Sequence, residues 1–225
     1  MLQHIPFTLD AASLLKLAGV KPDGPEAGEF MELVDAARAQ AHPKALYREC
    51  FIEARGDVTV TVEGVTFTSR TLRTRLANVE RVFAYVATCG TEMDRIPLAA
   101  GDMLAQFWLD VIKAHLLGAA IQRLNEHLSR RYALGRTATM NPGSGDADVW
   151  PIEQQRNLFA LLGDVHAHIG VRLTDSCLMV PNKTVSGIRF PTEVDFNACQ
   201  LCHRAVCPSR RAPFDRALWE TLQHA

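Results

Sequence analysis

The chain has 225 residues, of which 48% are hydrophobic and 22% are charged, a composition that supports a folded core and excludes an intrinsically disordered chain. Lysine and arginine total 24 and aspartate and glutamate total 25, so the formal net charge is −1. This balance argues against a nucleic-acid-binding protein that works by neutralising phosphates. Because no uninterrupted apolar run reaches the ~18 residues of a membrane helix and no secretory signal is visible at the N-terminus, we predict a cytoplasmic protein without a membrane partner.

The first part of the chain has the pattern of two helices. Asp10 is placed to cap the first one, which ends at Gly19. The second begins with Pro25 in its first turn and is stopped by Pro43. Its apolar residues follow the i, i+3, i+4, i+7 spacing of an amphipathic helix and are Phe30, Leu33, Val34 and Ala37. We therefore predict an N-terminal helical segment over residues 1–44.

Short strands follow this segment. Alternating apolar and polar residues predict strands at 47–54 and 58–62, and the Glu63-Gly64 pair predicts a tight turn into a further strand. Ser69 is placed to cap a short helix. The compact apolar run at 82–87 is typical of a central strand.

Helical signals dominate the middle of the chain. Thr91 and Asp94 have the spacing of a capping box and predict a helix start. The longest helix is predicted over about residues 102–132. Its apolar stripe is predicted to consist of Phe107, Val111, Ala114, Ile121, Leu124 and Leu128.

The last third contains a polar Gly-rich loop at 141–149, a helix through Leu158 and strand candidates at 177–180 and 185–190. Strands separated by one long helix indicate an α+β domain with a mainly antiparallel sheet. We divide the chain into the N-terminal segment, an α+β core over residues 45–196 and a cysteine-rich tail over residues 197–225.

The tail carries the strongest chemical motif. Cys199 and Cys202 form a CxxC pair, and Cys207 follows after four intervening residues. Such thiolates can share one metal, with His203 as a candidate fourth ligand of a zinc ion. Three close cysteines without an obvious fourth also fit a [4Fe–4S] cluster, which we favour over zinc. The remaining reading is three unligated thiols in a surface tail.

Two further motifs are weaker when taken alone. The Asn141-Pro142-Gly143-Ser144 loop lets the backbone approach a ligand and offer N–H donors, and Trp150 offers a flat ring for stacking. Small polar residues at 184–187 are suited to line a pocket. Both stretches are equally typical of ordinary turns and strand ends.

Taken in order, these stretches resemble a known family. The residues that carry the resemblance are Asn141-Pro142-Gly143-Ser144, Trp150-Pro151, Gln154, residues 158–162, residues 169–176, Met179, Pro181 and Thr184-Val185-Ser186-Gly187. They resemble the activation (S-adenosylmethionine-binding) domain of cobalamin-dependent methionine synthase, and more closely the small stand-alone relatives of that domain. The match covers about a third of the chain. Ser144 stands where the family has a tyrosine.

The resemblance implies a curved α+β fold built on a twisted, mainly antiparallel sheet. It also implies a shallow groove that binds S-adenosylmethionine and docks on a corrinoid held by another domain, where one electron and a methyl group restore methyl-Co(III) from Co(II). The groove residues carried over are Asn141, Gly143, Ser144, Trp150, Thr184, Ser186 and Gly187, with Arg136 as a candidate contact for a carboxylate.

The sequence therefore predicts an accessory protein of a corrinoid-dependent methyltransferase system that assists reductive reactivation of a partner corrinoid protein or corrinoid methyltransferase. In this hypothesis the tail cluster passes an electron from a separate donor, and whether the chain is itself a catalyst stays open. The alternative is a non-catalytic module that binds a corrinoid or a corrinoid protein and has a structural zinc tail. A methyltransferase that acts directly on a small substrate has less support.

Overall fold

The computed structural model describes residues 1–146, 149–207 and 210–224. In chain order, its helices and strands are α1 (Ala11–Ala18), α2 (Ala27–Gln40), β1 (Lys44–Arg55), β2 (Thr59–Val62), β3 (Val65–Thr68), α3 (Arg70–Arg75), β4 (Arg81–Thr88), α4 (Met103–Tyr132), β5 (Thr137–Met140), α5 (Gln155–Leu162), α6 (Val165–Ile169), β6 (Arg172–Leu173), β7 (Met179–Val180), β8 (Thr184–Pro191) and α7 (Arg216–His224). Short 3₁₀ turns lie at Thr91–Arg95, Ile152–Gln154 and Ala198–Leu201.

Within these residues the main sheet has six strands in the order β3-β2-β1-β4-β8-β5, and every neighbouring pair is antiparallel. The register of β1 against β2 shifts between Ile52 and Ala54. A bulge of this kind bends a strand and increases its local twist. The predicted α+β class, with a mainly antiparallel sheet and one long helix, is confirmed.

The core consists of three clusters of buried residues. One lies between one face of the sheet and α3, α5, α6 and α7. A second packs α1 and α2 on the first half of α4, and a third packs the second half of α4 on the other face of the sheet. The α4 helix thus joins the sheet to the N-terminal helices, and β8 and β5 at the end of the sheet lie close to its second half.

Several turn and cap predictions are confirmed. The side chains of Asp10 and Ser69 accept backbone N–H bonds at the starts of α1 and α3, as predicted. Asp102, which was predicted only as the approximate start of the long helix, also accepts such a bond at the start of α4. Glu63 and Gly64 both have positive φ, at 44° and 78°, as a tight hairpin turn between β2 and β3 requires.

Two helix predictions need correction. Thr91–Arg95 is a 3₁₀ turn whose N-cap is Gly90, without a side-chain cap bond, so the predicted capping box is wrong. The first half of the α4 stripe is also wrong, because Phe107 is 52% exposed and Ala114 is exposed, whereas Trp108 and Leu116 are buried. Leu124 and Leu128 are buried as predicted. The N-terminal helices cover a different face of α4 from the one that the pattern indicated.

The α4 helix is also long and apolar enough to pass a length-and-composition test for a membrane span. Core helices of soluble proteins pass the same test. Here the buried side chains of α4 pack against α1, α2 and the sheet.

Replacement of the buried Ser69 by alanine is expected to destabilise the fold by about 1–2 kcal/mol. The Ser69 hydroxyl accepts the Leu72 N–H bond at 2.9 Å and donates to the Val149 carbonyl, so the change removes a helix cap and leaves a buried acceptor unpaired. Urea unfolding measures the effect, with the partly exposed Ser129→Ala as the control. Equal stability of both variants would contradict the assigned role.

Candidate functional site

The candidate site is a cavity of about 1000 Å³ at the β5–β8 end of the sheet. Most of its walls come from the second half of α4, strands β5 and β8, the loop at 141–146, and tail residues within 196–199, 202–207 and 211. Single residues of β4, α5 and β7 complete the described lining. Ligand sites commonly have volumes of ~300–1,000 Å³, so the cavity has room for a nucleoside-sized ligand.

The cavity brings most of the predicted residues together. Those of the predicted groove and tail that line it are Asn141, Gly143, Ser144, Thr184, Ser186, Cys199, Cys202 and Cys207. The groove motifs and the cysteine motif are up to 66 residues apart along the chain, from Asn141 to Cys207, so their meeting in one cavity is a property of the fold. The cysteine-rich tail forms one wall of the groove.

Asn141 organises the floor of this cavity. Its side-chain amide donates to the Tyr85 hydroxyl at 2.9 Å and to the Ser186 carbonyl at 2.6 Å. The Ser186 hydroxyl in turn donates to the Gln155 side chain at 2.7 Å. These bonds tie the loop after β5 to β4, β8 and α5, so the floor is already ordered before any ligand binds.

The Pro-Gly-Ser loop plays a different part from the predicted one. The Gly143 N–H donates to the Trp150 carbonyl at 2.8 Å, and the Ser144 N–H donates to the Asn141 carbonyl at 3.1 Å. These two donors are used inside the protein and are not offered to a ligand. The positive φ of Gly143, at 74°, still lets the loop turn at the cavity wall.

Three of the predicted groove contacts lie outside the lining. The Trp150 side chain is fully buried and packs against Phe67, so it has no open face for stacking on a ligand. Arg136 donates to the Glu193 carbonyl at 3.2 Å. Gly187 lies under Asn141 and Met140, so its lack of a side chain serves strand packing.

The cysteines fall into two groups. Cys50, Cys89 and Cys177 are buried, and burial raises the pKa values of the Cys50 and Cys89 thiols to about 12. The three tail cysteines are partly exposed free thiols. Thiolates are the reactive form of cysteine, so the raised pKa values protect Cys50 and Cys89, and burial shields all three thiols from reagents in the solvent.

A thiol-alkylation experiment follows from this difference. In the folded protein we expect iodoacetamide to label the three tail cysteines, and Cys50, Cys89 and Cys177 only after unfolding. Peptide mass spectrometry at increasing times gives the order of labelling. Labelling of Cys89 as fast as Cys202 in the folded state would contradict the structure.

The tail thiols line the cavity, but they do not converge on one point. Among the residues that the structure describes, no three histidine, cysteine, aspartate or glutamate side chains are placed to hold a metal ion. The predicted ligand His203 instead pairs through Nδ1 with Asp146, and its ring packs against Phe214 and Trp219. The described side-chain positions therefore do not show the predicted zinc or iron–sulfur site.

Hydrogen bonds and apolar packing hold the tail instead. Asn197 and Gln200 form a capping box around the 3₁₀ turn that contains Cys199. The Arg210 guanidinium donates to the backbone carbonyls of Cys199, Cys202, Arg204 and Ala212. These contacts give the described part of the tail a defined conformation.

Several lining residues were missed by the sequence analysis. They include Tyr85 on β4, Asn125 on α4, Gln155 on α5 and Arg189 on β8. The one available signal was Arg189, the single charged residue of the predicted strand at 185–190. Its place opposite Thr139 of β5 depends on the strand register, which the sequence alone does not show.

Comparison with known proteins supports the fold. A solved structure described as the MetH reactivation domain bound to AdoHcy matches with a TM-score of 0.55 and 16% sequence identity. The alignment covers 85% of this chain and 73% of that one. No protein-family model and no curated protein matches the sequence. The chain therefore shares the fold of the MetH reactivation domain, although the two sequences are only 16% identical.

Proposed function

We propose that this protein is an accessory protein of a corrinoid-dependent methyltransferase system, which binds S-adenosylmethionine in its groove and assists reactivation of a partner corrinoid protein. The observation that carries the proposal is the nucleoside-sized cavity at the β5–β8 end of a fold shared with a domain solved in complex with AdoHcy. AdoHcy is S-adenosylmethionine without its transferable methyl group, so a site for one is chemically suited to the other.

The lining of the groove supports an adenosyl ligand. Met179, Ile121 and Val185 supply apolar surface against which a base can pack, while Asn141 and Thr139 supply polar groups beside it. A few polar groups within an apolar wall are typical of cofactor sites. The chain's contribution to the chemistry would be to bind and orient the methyl donor and to exclude water from it.

The corrinoid has to come from a partner in this proposal. The sequence motifs that carry the resemblance belong to the activation domain and cover about a third of the chain. Reactivation requires one methyl group and one electron. We assign the methyl group to the groove ligand and the electron to a separate donor.

The iron–sulfur or zinc assignment of the tail rests on cysteine spacing alone. We therefore derive no step through a metal. Analysis of iron, zinc and acid-labile sulfide in anaerobically purified protein tests this assignment directly. Equimolar zinc would favour the alternative of a binding module with a structural zinc site, and iron with sulfide would favour an electron-transfer tail.

Calorimetric titration with AdoHcy tests the ligand. We expect the wild-type protein to bind AdoHcy and Asn141→Ala to bind it about tenfold more weakly, because that variant loses two hydrogen bonds that order the floor. The matched control is Asn182→Ala, whose exposed amide bonds to Asp110 outside the groove. Absence of AdoHcy and S-adenosylmethionine binding to the wild type would refute the ligand assignment.

A spectroscopic assay tests the partner. The cobalamin-binding domain of methionine synthase, loaded with cob(II)alamin, is mixed with S-adenosylmethionine, titanium(III) citrate and this protein. We expect faster appearance of the methylcobalamin spectrum when the protein is present. A rate that is the same without it would refute the assistance of reactivation, whereas tight corrinoid-protein binding without AdoHcy affinity would indicate the non-catalytic module.

A further inference from the structure

The charges in the groove are unevenly distributed. Among the described lining residues, the charged side chains are those of Arg189, Arg204, Arg211 and Asp146. Asp146 is already paired with His203. The net effect is a positively charged cavity in a chain whose formal net charge is −1. A cavity with one sign of charge attracts a ligand group of the opposite sign.

Arg189 is incompletely satisfied within the protein. Its Nη1 donates to the Asn125 side-chain oxygen at 2.7 Å, but its buried Nε has no hydrogen-bond partner among the described residues. Burial lowers the pKa of the Arg189 guanidinium, as expected for a cation that the protein does not neutralise. A buried donor without an acceptor costs free energy, and a bound anion removes that cost.

Tyr85 adds a second donor beside Arg189. Its hydroxyl accepts the bond from Asn141, which leaves the hydroxyl proton to be donated. Burial raises the pKa of Tyr85, while Arg189 and Arg211 act in the opposite direction. Both arginines line the same cavity as this hydroxyl, Arg189 from β8 and Arg211 from the exposed part of the tail.

We propose that Arg189, Arg211 and the Tyr85 hydroxyl form an oxyanion subsite of the groove that binds a carboxylate or phosphate group of the ligand. Arg189 and Tyr85 form its buried end, and Arg211 brings the second positive charge from the tail. The subsite takes over the contact that the sequence analysis assigned to Arg136, which lies outside the cavity. This subsite proposal rests on the proposed function only in one respect, which is that the ligand is an adenosyl compound.

Two ligand pairs distinguish the source of the oxyanion. The carboxylate pair is AdoHcy and decarboxylated AdoHcy, which keeps the ammonium group and lacks only the carboxylate. The phosphate pair is adenosine 5′-monophosphate and adenosine. For one of the two pairs, we expect the member with the anionic group to bind the wild type at least about tenfold more tightly than the member without it. A hydrogen bond to a charged group provides an affinity difference of this size.

The variants are Arg189→Gln and Arg211→Gln, with Arg38→Gln on α2 as the control for net charge. The affinity gap is the ratio of the two dissociation constants within the favoured pair. We expect this gap to shrink to about twofold or less in Arg189→Gln and to shrink partly in Arg211→Gln. It should stay unchanged in Arg38→Gln. Because Arg211 is exposed, its variant keeps the test valid if Arg189→Gln unfolds, and thermal unfolding checks both.

Each outcome separates this subsite from the proposed function. Equal binding of both AdoHcy forms, with no gap in the phosphate pair, overturns the subsite but leaves the adenosyl-ligand proposal in place. A gap only in the phosphate pair, without AdoHcy binding, supports the subsite and overturns the adenosyl-sulfur ligand. Binding of none of the four ligands, or a gap that survives in both groove variants, overturns the subsite.

Discussion

Replacement of Trp150 by alanine is expected to lower the free energy of unfolding by about 3–5 kcal/mol. The indole is 0% exposed and lies edge-on to Phe67, with 5.7 Å between ring centroids. Its Nε1–H also donates to the Gln154 side chain at 3.2 Å. The variant therefore loses a large buried surface, leaves a cavity beside β3 and removes a hydrogen bond.

Urea unfolding followed by circular dichroism measures this loss. The matched control is Phe51→Ala, because Phe51 lies on β1 with 53% of its surface exposed. We expect the control to change stability by no more than about 0.5 kcal/mol. Similar values for the two variants would show that Trp150 is not a core residue and would reopen its assignment as a ligand contact.

The same substitution also tests how the core supports the groove. The Trp150 carbonyl accepts the Gly143 N–H bond, so the loop that forms one wall of the cavity is anchored on the residue whose side chain fills the core. The sequence analysis assigned Trp150 to the site because an aromatic residue near a Gly-rich loop can either stack on a ligand or pack in the core behind the loop. Only the packing distinguishes a ring that faces a ligand from one that supports the loop from behind.

Local signals explain why much of the fold was predictable. The alternation in β1 and β2, the apolar run in β4 and the caps Asp10 and Ser69 each act within a few residues of the chain. The antiparallel class followed from short strands around one long helix. Strand alternation depends on side chains pointing to opposite faces at successive residues, and capping depends on the unpaired N–H groups at the start of a helix. Both are determined by residues that are close together in the sequence.

The features that failed depend on contacts between distant segments. Many residues of α4 are apolar, so its stripe was ambiguous until α1 and α2 selected the face with Trp108 and Leu116. Arg189 reaches the groove because β8 pairs with both β4 and β5. The meeting of the tail cysteines with the loop at 141–146 required the path of the whole chain, which motif spacing does not contain.

Replacement of Gly187 by alanine is expected to destabilise the protein by about 1–3 kcal/mol and to weaken ligand binding in the groove. An added Cβ would lie 2.5 Å from the Met140 carbonyl oxygen and 2.5 Å from the Asn141 side-chain nitrogen. Met140 is held by its pairing with Ile188, so the strain is relieved mainly by displacing Asn141. That displacement breaks the bonds that tie the loop to Tyr85 and Ser186.

Gly118→Ala is the matched control, since Gly118 lies in α4 with no atom within 4 Å of an added Cβ. In a helix interior this change is expected to stabilise by about 0.5–1 kcal/mol, so the two glycine variants should shift the urea midpoint in opposite directions. Calorimetry with AdoHcy then separates the two effects of Gly187→Ala at a temperature where the variant is folded. A folded Gly187→Ala protein with unchanged AdoHcy affinity would show that the position of Asn141 does not control the groove.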